Sequence, residues 1–269
     1  MVLPRGEHLT VRHLISSPVN HISVPIRVID LETAGNGPQE VCEIGWQDVE
    51  QGSDGRWRVN DIRGGRFVNP GRPISPDTMA VHHILDEQVA GAPFWKTAAP
   101  DVLRPPGGVL ALAAHRAGFE QRYCRSALTG PVNWICTWKC ALRLWPELPR
   151  FSNQMLRYLR RPEGLVHELG LPAHRALPDA YVTAHHLRDM LNEVSVEQLI
   201  AWSREPGLLP RVPAGPDRGK AWRDLSSDAL NAYVRERDLD VRFSAATELR
   251  RRGQLPEAPP SLPAQQSLL

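Results

Sequence analysis

Arg27-Val28-Ile29-Asp30-Leu31-Glu32-Thr33 is short, apolar and rich in β-branched residues, and it carries two carboxylates two residues apart near its end. In a strand, residues i and i+2 share a face, about 6.5–7 Å apart along the chain. Asp30 and Glu32 then stand side by side, while Leu31 points to the opposite face and can enter a core. Two like charges so placed repel each other and are costly to desolvate. A divalent cation removes both objections. The plain alternative is a strand that ends in polar residues at the surface, and the rest of the chain has to separate the two.

Working outward, Gly35 to Pro38 reads as a turn and Val41 to Val49 alternates well enough for a second strand. A third strand is expected over Arg56 to Arg66, extending to Val68, which completes an antiparallel meander. Ser75-Pro76-Asp77 opens a short helix, with serine as N-cap and proline at the first helical position. Further short helices are expected near Leu85-Asp86 and from Phe94 to Leu103. Val109 to Ala114 is a continuous apolar run, the mark of a strand buried on both faces. A helix reaching about Ser126, a strand over Val132–Cys136 and helices over Leu142–Leu148 and Asn153–Arg160 follow. A short helical piece over Leu165–Leu171 precedes a longer helix over Ala180–Val194. A meander followed by strand–helix alternation predicts an α/β fold whose sheet is antiparallel on one side and parallel on the other. Helices are also expected over Val196–Trp202, Asp228–Arg235 and Ser244–Arg252.

Composition sets the bounds. A chain of 269 residues with 42% hydrophobic content suits one medium domain with appendages, or two small ones. A net charge of +2 neither demands nor excludes a nucleic-acid partner. No apolar run approaches the roughly 18 residues of a membrane span, and no signal-peptide pattern is visible. Four scattered cysteines do not make a disulfide framework, so a reduced, cytoplasmic protein is expected. The expected organisation is a leader over 1–24, a main α/β domain over 25–194, a small helical accessory region over 195–252 and a disordered tail over 253–269.

Four carboxylates and one histidine sit at the ends of separate elements. Asp30 and Glu32 close the first strand, Glu120 opens a helix, and Asp179 lies in the first turn of a later helix, with His174 on the approach. Helix first turns favour carboxylates. Hard oxygen ligands suit Mg²⁺ or Mn²⁺ rather than zinc. Several carboxylates with a titratable histidine suit two-metal phosphodiester hydrolysis, in which ions about 3.5–4 Å apart clamp the attacking and leaving oxygens and a base takes the water's proton.

Val28-Ile29-Asp30-Leu31-Glu32-Thr33, His115-Arg116-Ala117-Gly118-Phe119-Glu120 and His174-Arg175-Ala176-Leu177-Pro178-Asp179-Ala180, in that order and spacing, resemble the three motifs of the DEDDh 3′→5′ exonucleases. Pro73 to His82, Trp134 to Lys139 and Leu144-Trp145-Pro146 with Ser152-Asn153 look like the exodeoxyribonuclease X-like branch of that family. The resemblance implies an RNase H-like fold with a five-stranded mixed sheet flanked by helices. It implies Asp30, Glu32, Glu120 and Asp179 as ligands of two Mg²⁺ ions, with Mn²⁺ able to substitute. His174 would be the general base, a task suited to a side chain that titrates near neutrality. Thr33, His82 and Phe119 would lie against the substrate. The implied substrate is the 3′ end of DNA, single-stranded or frayed, and the implied setting is DNA repair.

The second motif departs from the family pattern, which usually reads His-Asn-Ala-x-Phe-Asp. Arg116 replaces the asparagine and Glu120 the final aspartate. Glutamate is longer by one methylene, and a misplacement of about 1 Å can cost on the order of 10²-fold in rate. In that family this position holds the looser metal, partly through water, so activity is expected to survive. Two rivals remain: an RNA-trimming relative with the same site, and a nucleic-acid-binding protein on a weakened nuclease fold.

Among the weaker signals, His115 reads as structural, and His185 and His186 as partly solvated. Arg157, Arg160 and Arg161 either line a phosphate path or form a solvated helix face. Gln265-Gln266-Ser267-Leu268-Leu269 resembles peptides that dock on bacterial sliding clamps, which suggests a tethering contact.

Overall fold

The computed structural model describes residues 24–35, 37 and 40–256. The leader apart from Val24, the tail after Pro256 and the Gln265–Leu269 peptide lie outside the described residues. The elements follow in order as β1 (Ile26–Thr33), β2 (Val41–Gln51), β3 (Trp57–Phe67), α1 (Pro76–His82), α2 (Asp86–Val89), α3 (Trp95–Leu103), β4 (Ala111–Ala114) and α4 (Glu120–Tyr123). They continue as α5 (Ser126–Thr129), β5 (Asn133–Cys136), α6 (Thr137–Leu144), α7 (Asn153–Arg160), α8 (Ala176–Glu193), α9 (Val196–Arg204), α10 (Ser227–Tyr233) and α11 (Leu239–Arg251).

The five strands form one sheet in the order β3-β2-β1-β4-β5. The meander is antiparallel, and β4 and β5 run parallel to β1. Alternation along β1 splits the molecule into two layers. Ile26 and Val28 pack with Ala180, Ala184, Leu187 and Met190 of α8, while Ile29 and Leu31 pack with Trp95, Ala98 and Val102 of α3. Every residue of β4 is buried, as its apolar run predicts, with Ala111 and Ala113 on the α8 side and Leu112 on the α3 side. Burying a side chain such as Leu31 contributes about 1.5–3 kcal/mol. Asp30 and Glu32 belong to the α8 face, beyond the point where its apolar layer ends.

Several helix readings change: the piece expected over Leu165–Leu171 is a single 3-10 turn at Glu168–Gly170, and the helix expected over Ser244–Arg252 is α11, which starts at Leu239. The expected helix to Ser126 is two short pieces, because Cys124 leaves helical geometry and Arg125 starts α5 from an extended conformation. The helix placed at Leu142–Leu148 is α6, which begins at Thr137 and ends at Leu144. Trp145 precedes a proline and is therefore biased away from the helical region. α8 begins at Ala176, four residues earlier than expected. By contrast, Ser75 caps α1 through the Thr78 N–H with Pro76 at the first position, as read.

One close approach places α8. Gly45 lies opposite Asp30 in the β1–β2 register. A Cβ at residue 45 would lie 2.2 Å from the Ala176 carbonyl carbon and the Leu177 nitrogen. Only a residue without a side chain lets the start of α8 rest on the sheet here, one turn before Asp179. Gly45→Ala is expected to cost about 1–3 kcal/mol through overpacking. In a chain of this size that is a Tm loss of about 3–10 °C, with a loss of activity as Asp179 is displaced. An unchanged Tm and kcat would show that α8 does not depend on this contact.

Beyond α9, Val212, Trp222, Leu225, Leu230, Val241 and Leu249 make a separate small core. It is joined to the larger layers where Gly207 and Leu209 donate to the side chains of Asp240 and Ser244. Among the described residues, no helix is long and apolar enough to cross a membrane.

Candidate active site

The end of β1 and the first turn of α8 bring three carboxylates together. Asp30, Glu32 and Asp179 each offer an oxygen within 4.8 Å of the other two. Burial pushes the Asp30 carboxyl well above the ordinary carboxylate range, and the charges of Asp179, Glu32, Glu120 and Glu43 push it the same way. Burial and then Asp179 raise Glu32 to about 8. Glu120, in the first turn of α4, is pushed up to about 8, chiefly by burial. It lies outside the set of mutually close oxygens, and its Oε2 is buried without a hydrogen-bond partner.

Asp179 is held rigidly. Its Oδ1 accepts from Gln154 Nε2 at 2.7 Å and from Asn153 Nδ2 at 3.3 Å, and its Oδ2 accepts from the His174 backbone N–H at 2.7 Å. Gln154 is fixed in turn by Arg157, whose Nη1 donates to Gln154 Oε1 and to the Gly170 carbonyl. That bond settles which end of the Gln154 amide faces Asp179. The motif histidine, His174, is exposed, in a left-handed conformation with φ +60°. Burial raises the Asp179 carboxyl above the ordinary range, and the hydrogen bonds from Gln154 and the His174 N–H act in the opposite direction.

Glu43 is the neighbour the sequence reading missed. It sits directly across from Glu32 in the β1–β2 register, which would be repulsive if nothing intervened. Its carboxylate accepts from Arg175 Nη2 at 2.6 Å and Nε at 3.0 Å, and from the Ala176 N–H at 2.9 Å. The ion pair cancels one charge and clamps the loop that carries His174 to the sheet. A signal was present: a carboxylate in the middle of the apolar run Val41-Cys42-Glu43-Ile44-Gly45.

Not every expected residue reaches the cluster. His82 is 2% exposed. Its Nε2 lies 3.2 Å from the Thr33 carbonyl, and its Nδ1 accepts from the Ile84 N–H. It is therefore an internal strut beneath Thr33 with no accessible nitrogen. Thr33 is itself buried. Phe119 is half-buried beside Glu120, its ring 5.4 Å from that of Tyr123 and covered by the Arg122 guanidinium.

The arginines expected on a phosphate path or a solvated face are largely scaffold. Arg157 is buried, and Arg160 lies 3.3 Å over the Trp145 ring and pairs with Asp189. His185 and His186 are buried rather than partly solvated, because they lie on the core side of α8. His115 is structural, as read: its ring nitrogens meet Thr137 Oγ1 and the Phe151 carbonyl, and burial lowers it to about 4.

The donor set fits a divalent cation. It is all hard oxygen, burial and mutual repulsion raise its members, and the nearest guanidinium, that of Arg175, is committed to Glu43. The raised groups also set the pH dependence of the apo protein. A carboxyl whose folded value is raised supports stability fully below its unfolded value and loses that support as pH rises through the folded one. For Glu32 and Glu120 the window runs from the ordinary range near pH 4.5 up to about 8. Without metal, Tm should fall across this window. A divalent cation held at one concentration, about 100 times its Kd at pH 8, should restore about 2.7 kcal/mol there, or about 5–10 °C, and less at pH 6, where protons compete for the carboxylates. Thermal melts in chelator and in Mg²⁺ measure this directly. Equal shifts at both pH values would remove these carboxylates as the ligands.

Comparison with known proteins gives consistent matches. The RNase T family profile, described as exonuclease, matches residues 28–187. Exodeoxyribonuclease 10 of Escherichia coli (strain K12) is 36% identical over 205 residues, covering 75% of this chain and 85% of that protein. A solved structure of exonuclease X in complex with 5′-overhanging duplex DNA matches with a TM-score of 0.54 and 34% identity, covering 66% of this chain and 99% of that one. A structure of exonuclease I matches with a TM-score of 0.52 and 13% identity over 81% of this chain and 61% of that one, a likeness of fold alone.

Proposed function

The chain belongs to the RNase T exonuclease family, and from that premise we propose that it removes nucleotides one at a time from the 3′ end of DNA. The observation that carries the reading is the convergence of Asp30, Glu32 and Asp179 at the end of the strand and helix that hold the family's motifs. The printed names of the relatives, an exodeoxyribonuclease and an exonuclease solved with DNA, favour DNA over RNA.

In this reading Asp30, Glu32 and Asp179 hold a tightly bound Mg²⁺, Glu120 serves a second ion, and Mn²⁺ can replace either. Bound there, the cations supply positive charge for the phosphoryl and leaving oxygens. The protein's own groups do the rest. Gln154 and the His174 N–H fix Asp179 in one rotamer. The Glu43–Arg175 pair fixes the loop, so that His174 can take a proton from the attacking water. The water oxygen bonds to phosphorus and the bond to the 3′ oxygen of the preceding nucleotide breaks. That oxygen takes a proton from solvent, and a nucleoside 5′-monophosphate leaves. The terminal base must be splayed from any partner, so single strands or frayed ends are the preferred substrates, with Phe119 beside the site.

The test is a time course on 5′-labelled single-stranded DNA. With Mg²⁺ a ladder should shorten from the 3′ end, and with chelator the substrate should stay intact. An RNA of the same sequence should be degraded more slowly. Preserved 3′-end binding without hydrolysis in Mg²⁺ or Mn²⁺ would replace this reading with that of a binding protein.

A further inference from the structure

The turn between β4 and α4 carries a second cluster. Arg116, where the family pattern has asparagine, adopts φ +66°. Asparagine enters that left-handed region readily and arginine does not. The side chain is exposed, and among the described residues it makes no ion pair and donates no hydrogen bond. Its guanidinium lies 4.2 Å from the centre of the Trp138 ring. Beside it is a cleft of about 190 Å³ lined by Arg116, Gln121, Trp134, Trp138 and Lys139, with no carboxylate in its wall. Lys139 is held there by the neutral carbonyls of Ser203 and Glu205, so its charge is not cancelled. The cleft thus combines two cations with two indoles, one of them, Trp134, half-exposed.

This is the chemistry that holds a nucleotide of a single strand: a phosphate on a guanidinium and a base on an aromatic or guanidinium plane. The position fits as well. The Arg116 carbonyl accepts from the Phe119 N–H, and the Ala117 carbonyl from the Gln121 N–H, so the cleft lies within one turn of Glu120. We propose that it binds a nucleotide of the substrate strand on the 5′ side of the scissile bond. A strand whose 3′ end lies at the acidic cluster reaches it within a few nucleotides. The inference rests on the nuclease reading for the direction of the strand, but its test does not depend on turnover.

The experiment measures binding of a fluorescently labelled 12-nucleotide single-stranded DNA in chelator, at several salt concentrations, by the wild type, Arg116→Asn and Gln121→Glu. It is accompanied by kcat/KM in Mg²⁺ for oligonucleotides of two to twelve nucleotides. Arg116→Asn should weaken binding about 10-fold, make the logarithmic salt slope shallower by about 0.7 per lost phosphate contact, and flatten the rise of kcat/KM with length. Gln121→Glu, which adds a carboxylate to the cleft, should act in the same direction. Because asparagine relieves the backbone at residue 116, the Tm of Arg116→Asn should equal or exceed that of the wild type, so weaker binding cannot be put down to unfolding. Unchanged affinity, salt slope and length dependence in both variants would overturn the proposal. Weaker binding by the variants together with a wild type that hydrolyses nothing would overturn the nuclease reading and leave the cleft standing.

Discussion

Asp30→Asn is expected to lower kcat by on the order of 10³-fold or more and, in the absence of metal, to raise Tm. The substitution keeps the size of the side chain and removes one charge from the centre of the cluster. Asp30 is the residue on which burial and four neighbouring carboxylates act together, so it has the most to gain from a cation and the most to lose without one. Metal charge at a phosphoryl centre supplies several kcal/mol of transition-state stabilisation, and each 1.36 kcal/mol is tenfold in rate. The stability effect has a definite sign. The raised carboxyl of the wild type loses its support for the fold as pH rises through its folded value, and the amide does not titrate. The Tm advantage of the variant in chelator should therefore grow from pH 5 to pH 9, and it should vanish or reverse when Mg²⁺ is added, because only the wild type then gains. A variant that melts below the wild type at pH 9 in chelator would mean that the carboxylate is satisfied within the protein and awaits no cation.

The sequence made much of this site legible, for a local reason. Asp30 and Glu32 are related by strand periodicity, and Glu120 and Asp179 by their places in helix first turns, so each could be placed from its own short segment. The remainder depends on pairings that short segments do not encode. Glu43 matters because the β1–β2 register sets it against Glu32, and Gly45 because the start of α8 lands on it. Arg157 reads as a phosphate contact or a solvated helix face, and Gln154 carries no signal of its own, until α7 is seen beside α8, where they orient Asp179. His82 shows the reverse error. It lies in a stretch that resembles a substrate-side segment, yet its side chain points inward to the Thr33 carbonyl. The early end of α6 was in principle readable from Trp145-Pro146. Its early start was not, because β5 passes into the helix at Cys136-Thr137 with no loop between them.

His174→Asn is expected to lower kcat by about 10²–10⁴-fold, the range of a lost general base, while leaving both the fold and the metal site in place. The choice of asparagine follows from the backbone. His174 holds φ +60°, a region in which asparagine is also at ease, and its main-chain N–H donates to Asp179 Oδ2, a bond any residue but proline retains. An exposed substitution of this kind should change stability by no more than about 0.5 kcal/mol, or about 1–2 °C, and the Mg²⁺-induced rise in Tm should persist. That combination separates a base from a ligand, since Asp30→Asn should lose both rate and metal response. Because His174 is open to solvent, added imidazole should reach the vacated position and restore part of kcat in proportion to its concentration. A rate loss below tenfold would move the base elsewhere. A lost Mg²⁺ response would mean that the loop clamped by Glu43 and Arg175 had shifted, and that His174 acts by holding Asp179 rather than by moving a proton.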